Sequence, residues 1–92
     1  MNLGLSGKNA VITGASKGIG KSIALALAGE GVNIAFCSRG EEALRATETE
    51  IIKTGVKVFA STCDVGNQES LNGFLENAQR TLGRIDILVN KV

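Results

Sequence analysis

Four short apolar runs rich in Val and Ile recur along the chain: NAVIT (9–13), VNIAFC (32–37), VKVFA (56–60) and IDILV (85–89). Such runs predict strands, because β-branched side chains pack well on a pleated surface. Most lack strict apolar–polar alternation, and continuous apolar character is expected of parallel strands covered on both faces. Between the runs the period becomes helical. Ile19, Ile23 and Leu27 lie four apart, with Ala24 and Ala28 beside them. A second stripe, Leu44, Thr47, Ile51 and Ile52, stops at Gly55, a residue suited to a left-handed helix end. The third, Leu71, Phe74, Leu75, Ala78 and Leu82, opens at Asn67 as N-cap and stops at Gly83.

Strands alternating with helices predict an α/β layer fold built from right-handed βαβ units around a parallel sheet. If the winding follows the dinucleotide-binding pattern, four strands stand in the order 3-2-1-4 with three helices, a partial doubly wound (Rossmann) fold. The switch point then lies between the first and fourth strands at their carboxyl ends. Crossover handedness sends the first two helices to one face and only the third to the other, so apolar surface on the second and third strands is expected to lie open. Residues 1–92 read as a single domain, with no repeat, linker or low-complexity segment.

Composition narrows the function classes. The chain is 43% apolar and 21% charged with a net charge of +1, ordinary for a globular protein. Its ten basic residues run from Lys8 to Lys91 and alternate with acids, so no basic block suits nucleic acid. No apolar run approaches the roughly 18 residues of a membrane span, and no signal-peptide pattern opens the chain, so a cytoplasmic location is the default. Cys37 and Cys63 each end an apolar run and read as small buried hydrophobes, too few and too far apart for a zinc site; no metal is expected. His, Tyr, Trp and Pro are absent. General acid–base chemistry would therefore fall to Asp, Glu, Lys or Cys.

The stretch TGASKGIG (13–20) leaves the first strand and enters the first helix near Gly18. Orphan N–H groups and the positive end of a helix dipole there face an anion. In that setting Gly14 permits the sharp turn, Gly18 lets backbone approach a pyrophosphate, and Gly20 lets the helix pack closely on the strand. Ser16 and Lys17 add a hydroxyl and a cation at the tip. A triphosphate loop is the rival, because Gly20-Lys21-Ser22 matches its end and Asp64 could serve as its magnesium-side acid. It needs a glycine five positions before Gly20, where Ala15 stands.

In its strand-to-helix context the pattern T-G-x-x-x-G-x-G resembles the cofactor loop of the short-chain dehydrogenase/reductase family. CDV (63–65) resembles the family's Asp-Val signature after the third strand, and GRIDILVN (83–90) resembles the approach to its Asn-Asn-Ala-Gly segment. The order and spacing of these three features fit over essentially the whole chain, with the classical 3-oxoacyl-[acyl carrier protein] reductases as the nearest type. The resemblance implies that Gly14, Ser16, Lys17, Gly18, Ile19 and Gly20 surround the dinucleotide phosphates. It also implies that Asp64 accepts a hydrogen bond from the adenine amino group, that Val65 flanks the ring, and that Asn90 stands beside the cofactor. Without the family pattern, Asp64 reads as a turn or capping acid.

An acid at the end of the second strand would favour NAD by bonding its ribose hydroxyls and repelling the extra phosphate of NADP. Ser38 holds that place, followed by Arg39, whose planar guanidinium suits a phosphate, with Lys17 able to approach the same group. NADP is the expected cofactor and NAD the less favoured one; a capping Ser38 and a solvated Arg39 are the alternative. Glu41 and Glu42 fit the first turn of the next helix. The family's catalytic serine, Tyr-x-x-x-Lys pair and helical asparagine are implied beyond Val92, so the chain is expected to be the cofactor-binding half of an NADP-dependent oxidoreductase without catalytic residues of its own. The alternatives are a non-enzymatic nucleotide-binding module and an inactive truncated product. An exposed fourth strand makes self-association of the chain the expectation, and the resemblance implies a homo-oligomer, often a tetramer, for the complete family fold.

Overall fold

The computed structural model describes residues 4–13 and 18–90, the Asn90 side chain excepted. Within them the elements run β1 (Asn9–Thr13), α1 (Gly18–Gly29), β2 (Asn33–Ser38), α2 (Glu41–Ile52), β3 (Val58–Thr62), α3 (Gln68–Leu82) and β4 (Ile87–Asn90). All neighbouring strands are parallel and the order is β3-β2-β1-β4. Thr13 is the partner of both Cys37 and Asn90, so the carboxyl ends of β1, β2 and β4 are level.

Two cores sandwich the sheet. On one face Ala24 and Ala28 of α1 and Leu44 and Ile51 of α2 pack with Ala10, Ile12, Ile34, Phe36 and Ala60. On the other, Phe74 and Ala78 of α3 pack with Val11, Ala35 and Cys37. The 2:1 division of helices is the expected one, but its consequence differs. Ala35 is fully buried and the Phe59 ring stacks on Phe74 at 5.9 Å, so α3 alone shields β2 and β3. The open strand is β4, where Leu88 is 62% exposed although its partner Val11 is fully buried.

The helix stripes need two corrections. Ile19 and Ile52 are exposed, because the inward line of α1 is Gly20, Ala24 and Ala28 and that of α2 is Leu44, Thr47 and Ile51. Small residues at i, i+4 and i+8 let α1 approach the sheet closely, leaving Ile23 and Leu27 on its flank. The ends of the helices are as expected in kind. Asn67 caps α3 by accepting the Ser70 N–H at 3.0 Å, and Gly55 and Gly83 take positive φ. α2 ends earlier, at Ile52, with Gly55 closing the turn that follows through its N–H to the Ile52 carbonyl.

Polar side chains tie the amino-terminal edge of the sheet together. Asn9 Nδ2 donates to the Leu82 and Arg84 carbonyls at 3.1 and 2.8 Å, and its Oδ1 accepts from Asn33 Nδ2 at 3.0 Å. The Asn33 Oδ1 in turn accepts the Lys57 N–H, and Asp86 Oδ2 accepts the Asn9 N–H, each at 3.0 Å. Among the described residues every buried side-chain nitrogen or oxygen has a partner, which is what keeps burial of these groups from being costly.

Candidate functional site

At the opposite, carboxyl edge the strands release the segments that carry the candidate residues. The loop after β1 holds Gly14, Ser16 and Lys17, which lie outside the described residues together with Ala15. It re-enters the described chain at Gly18, whose φ of +65° is a left-handed conformation that disfavours a side chain. A Cβ placed there would meet nothing within 4 Å among the described residues. Ile19, next along, is 64% exposed at the same helix start, and Gly20 is buried in the contact with the sheet.

The rival triphosphate loop finds no support in the neighbouring side chains. Such a loop requires its lysine on the phosphates and its hydroxyl on magnesium. Lys21 instead reaches across to α2, where its Nζ pairs with Glu50 at 2.7 Å, and the Ser22 hydroxyl donates back to the Gly18 carbonyl at 3.3 Å.

β2 ends at Ser38, which is 6% exposed and donates its hydroxyl to the Gly40 carbonyl at 3.4 Å. It does not cap α2: the N-cap is Gly40, with no side-chain bond, and Glu41 and Glu42 occupy the first turn as expected. Arg39 projects into solvent and has no ion pair among the described residues. By contrast Arg45 on α2 is held by Glu48 and Glu41, whose hydrogen bonds raise its pKa above the ordinary arginine value. Arg39 is thus a guanidinium available for an anion, and Arg45 is not.

β3 delivers the other half of the site. The Cys63 N–H donates to the Ser38 carbonyl at 2.9 Å, continuing the ladder one step past β3 and fixing the two strand ends side by side. Asp64 follows in a tight turn: its Oδ1 accepts the Gly66 N–H at 3.0 Å, its carbonyl accepts the Asn67 N–H at 2.9 Å, and its own N–H donates to Ser70 Oγ at 3.1 Å. Val65 is exposed beside it. The turn-acid reading of Asp64 is therefore correct for one carboxylate oxygen, while Oδ2 makes no hydrogen bond among the described residues.

Arg39, Thr62, Cys63, Asp64 and Ser70 line one cleft of about 300 Å³. The sequence-derived pair Arg39 and Asp64, 25 residues apart in the chain, is brought together here by the β2–β3 pairing. Gly18, Ile19 and Gly20 lie on the same edge, after β1, but do not line this cleft. The Asn90 backbone ends β4 opposite Thr13, and its side chain lies outside the described residues. Thr62 and Ser70 are lining residues that sequence reasoning missed. Thr62 was readable as the strand's last residue only after the strand end moved from Ala60 to Thr62, and Ser70 only from its place three residues into a capped helix. Cys37 and Cys63 are buried thiols that are not joined in a disulfide, as their apolar context implied.

A family model described as short chain dehydrogenase matches residues 8–92. Among curated relatives, 7alpha-hydroxysteroid dehydrogenase of Escherichia coli (strain K12) is 39% identical over 89 residues, 97% of this chain and 35% of that protein. Among solved structures, L-sorbose reductase from Gluconobacter frateurii, complexed with NADPH and L-sorbose, matches with a TM-score of 0.94 and 39% identity, covering 100% of this chain and 35% of the other. NAD+-bound xylitol dehydrogenase matches with a TM-score of 0.88 and 37% identity, covering 91% and 32% respectively. The chain spans about a third of the length of each of these proteins.

Proposed function

The chain belongs to the short-chain dehydrogenase family, and from that premise we propose that residues 1–92 form a single partial dinucleotide-binding domain serving an NADP-dependent oxidoreductase. When bound, NADPH supplies a hydride for a carbonyl substrate, or NADP accepts one from an alcohol. This chain contributes the holding of the cofactor, and the hydride step belongs to the complete family fold. The 3-oxoacyl-[acyl carrier protein] reductase type is our reading for that complete fold, on the strength of the loop, Asp-Val and Val-Asn motifs together.

Gly14, Gly18 and Gly20, with Ser16 and Ile19, surround the pyrophosphate at the start of α1. Asp64 accepts from the adenine amino group, Val65 flanks the ring, and Asn90 stands beside the cofactor beyond β4. Arg39 and Lys17 take the additional phosphate of NADP, next to Ser38 in the place of an acid. The observation that carries this reading is that Arg39, without an ion pair among the described residues, and the clamped Asp64 line one cleft. The family neighbours include both an NAD+-bound and an NADPH-bound structure, so the preference for NADP rests on Ser38 and Arg39.

Two buried cysteines outside any disulfide support a reducing, cytoplasmic setting. Among the described residues no helix is long and apolar enough to cross a membrane. The position of β4 at an edge of the sheet among the described residues, with Leu88 exposed on it, supports self-association.

Thermal unfolding with added nucleotides tests the reading. NADPH at a hundred times its dissociation constant is expected to stabilise the protein by about 2.7 kcal/mol, with a smaller effect of NADH at the same concentration. Stabilisation by ATP and magnesium but not by NADPH would overturn it. Arg39→Asp is expected to move the NADPH/NADH affinity ratio toward NADH by roughly tenfold or more, the scale of a lost charge-assisted hydrogen bond.

A further inference from the structure

Resting on the adenine-side reading of the cleft, we infer that Ser70 is a positioning residue that sets the orientation of Asp64 and thereby the discrimination of a 6-aminopurine from a 6-oxopurine. Asp64 sits in an exposed turn, where an unrestrained carboxylate samples several rotamers and loses that freedom on binding. Three hydrogen bonds fix the residue beforehand, one on its carboxylate and two on the backbone that carries it, and they come from different places. The Gly66 N–H holds Oδ1 and the Asn67 N–H holds the carbonyl, both from within the turn. Ser70 Oγ accepts the Asp64 N–H at 3.1 Å from the first turn of α3.

Ser70 is the anchor that links Asp64 to a rigid element. Its own N–H is bonded to Asn67 Oδ1, so the residue is fixed as part of the α3 cap, and its side chain lines the cleft alongside Asp64. The cap bond uses the Ser70 backbone and survives loss of the hydroxyl. Removing that hydroxyl leaves the Asp64 N–H in an exposed position that water can satisfy, so the fold should suffer little while the backbone that carries the carboxylate loses its tie to the Ser70 side chain.

The consequence is a change in base discrimination. A carboxylate oxygen accepts from the 6-amino group of adenine and repels the 6-oxo group of hypoxanthine, so a fixed Asp64 separates NADPH from its hypoxanthine analogue. The protein, Ser70→Ala, Ser70→Thr, Asp64→Ala and the Ser70→Ala/Asp64→Ala double variant would be titrated calorimetrically with NADPH and with nicotinamide hypoxanthine dinucleotide phosphate. Ser70→Ala is expected to lower the NADPH/analogue affinity ratio by roughly three- to tenfold, the range of one hydrogen bond. Ser70→Thr, which keeps the hydroxyl, is expected to restore it, and Ser70→Ala should have no further effect once Asp64 is removed. A merely structural loss would weaken both ligands equally and would persist in the Asp64→Ala background; either result overturns the inference. If the unaltered protein binds neither dinucleotide, the cleft reading itself fails. If it discriminates and Ser70→Ala does so equally well, only the role of Ser70 fails.

Discussion

Gly18 and Asn9 stand near opposite ends of the same sheet layer and illustrate two ways in which a single residue is constrained. Gly18 is fixed by backbone conformation: at φ +65° an alanine is strained although its Cβ would meet nothing within 4 Å among the described residues. Gly18→Ala is therefore expected to destabilise the protein by about 1 kcal/mol, from the left-handed penalty, and to weaken NADPH binding by more than its effect on stability. Urea denaturation and calorimetric titration of the same variant separate the two. Asn9 is fixed by its partners. Its amide serves the Leu82 and Arg84 carbonyls and Asn33 while the residue is only 9% exposed, so Asn9→Ala is expected to cost about 2–3 kcal/mol with no direct effect on the carboxyl edge. Nothing local announces this role. In the sequence Asn9 is the polar first residue of an apolar run, and its partners Leu82 and Arg84 lie 73 and 75 residues away.

At the scale of elements, apolar runs locate the strands but not their ends, because burial and pairing begin at different residues. Val32 is fully buried, yet its N–H still belongs to the end of α1, donating to the Leu27 carbonyl at 3.1 Å. The ladder opens one residue later, at Asn33. Val56 and Ile85 likewise pack against the two cores ahead of β3 and β4. The helix ends were legible because capping is local: Asn67 and Gly83 act within a few residues of the positions they control. Asn67→Ala is expected to destabilise the fold by about 1 kcal/mol, read from the denaturation midpoint at unchanged slope. Stripe membership was less legible at α1, where three small residues, and not Ile19, form the inward line. Ile19 is left exposed at the edge where a ligand of the glycine loop would lie.

For the whole molecule, the two edges of the sheet divide the labour. Side-chain amides and Asp86 join the strands at the amino edge, whereas the carboxyl edge presents a guanidinium with no ion pair among the described residues, a half-committed carboxylate and the left-handed backbone of Gly18. The topology was legible, since βαβ handedness and the glycine loop together lead to 3-2-1-4. The shape of the cleft between Arg39 and Asp64 was not, because it depends on the Ser38–Cys63 backbone bond and on Ser70 reaching back to Asp64. The coverage of the sheet is uneven in a testable way. α3 shields β1, β2 and β3, and Leu88 remains exposed on β4, so Leu88→Glu is expected to shift sedimentation profiles toward monomer with little change in unfolding free energy.

On the proposed function the carboxyl edge holds a dinucleotide with its adenosine end against Arg39 and Asp64. Amide chemical shifts followed during an NADPH titration test this. The largest changes are expected on Gly18, Ile19, Arg39, Gly40, Asp64 and Val65, with Asn9, Asn33, Lys57 and Asp86 almost unmoved. Changes concentrated at the amino edge, or none at saturating NADPH, would contradict it.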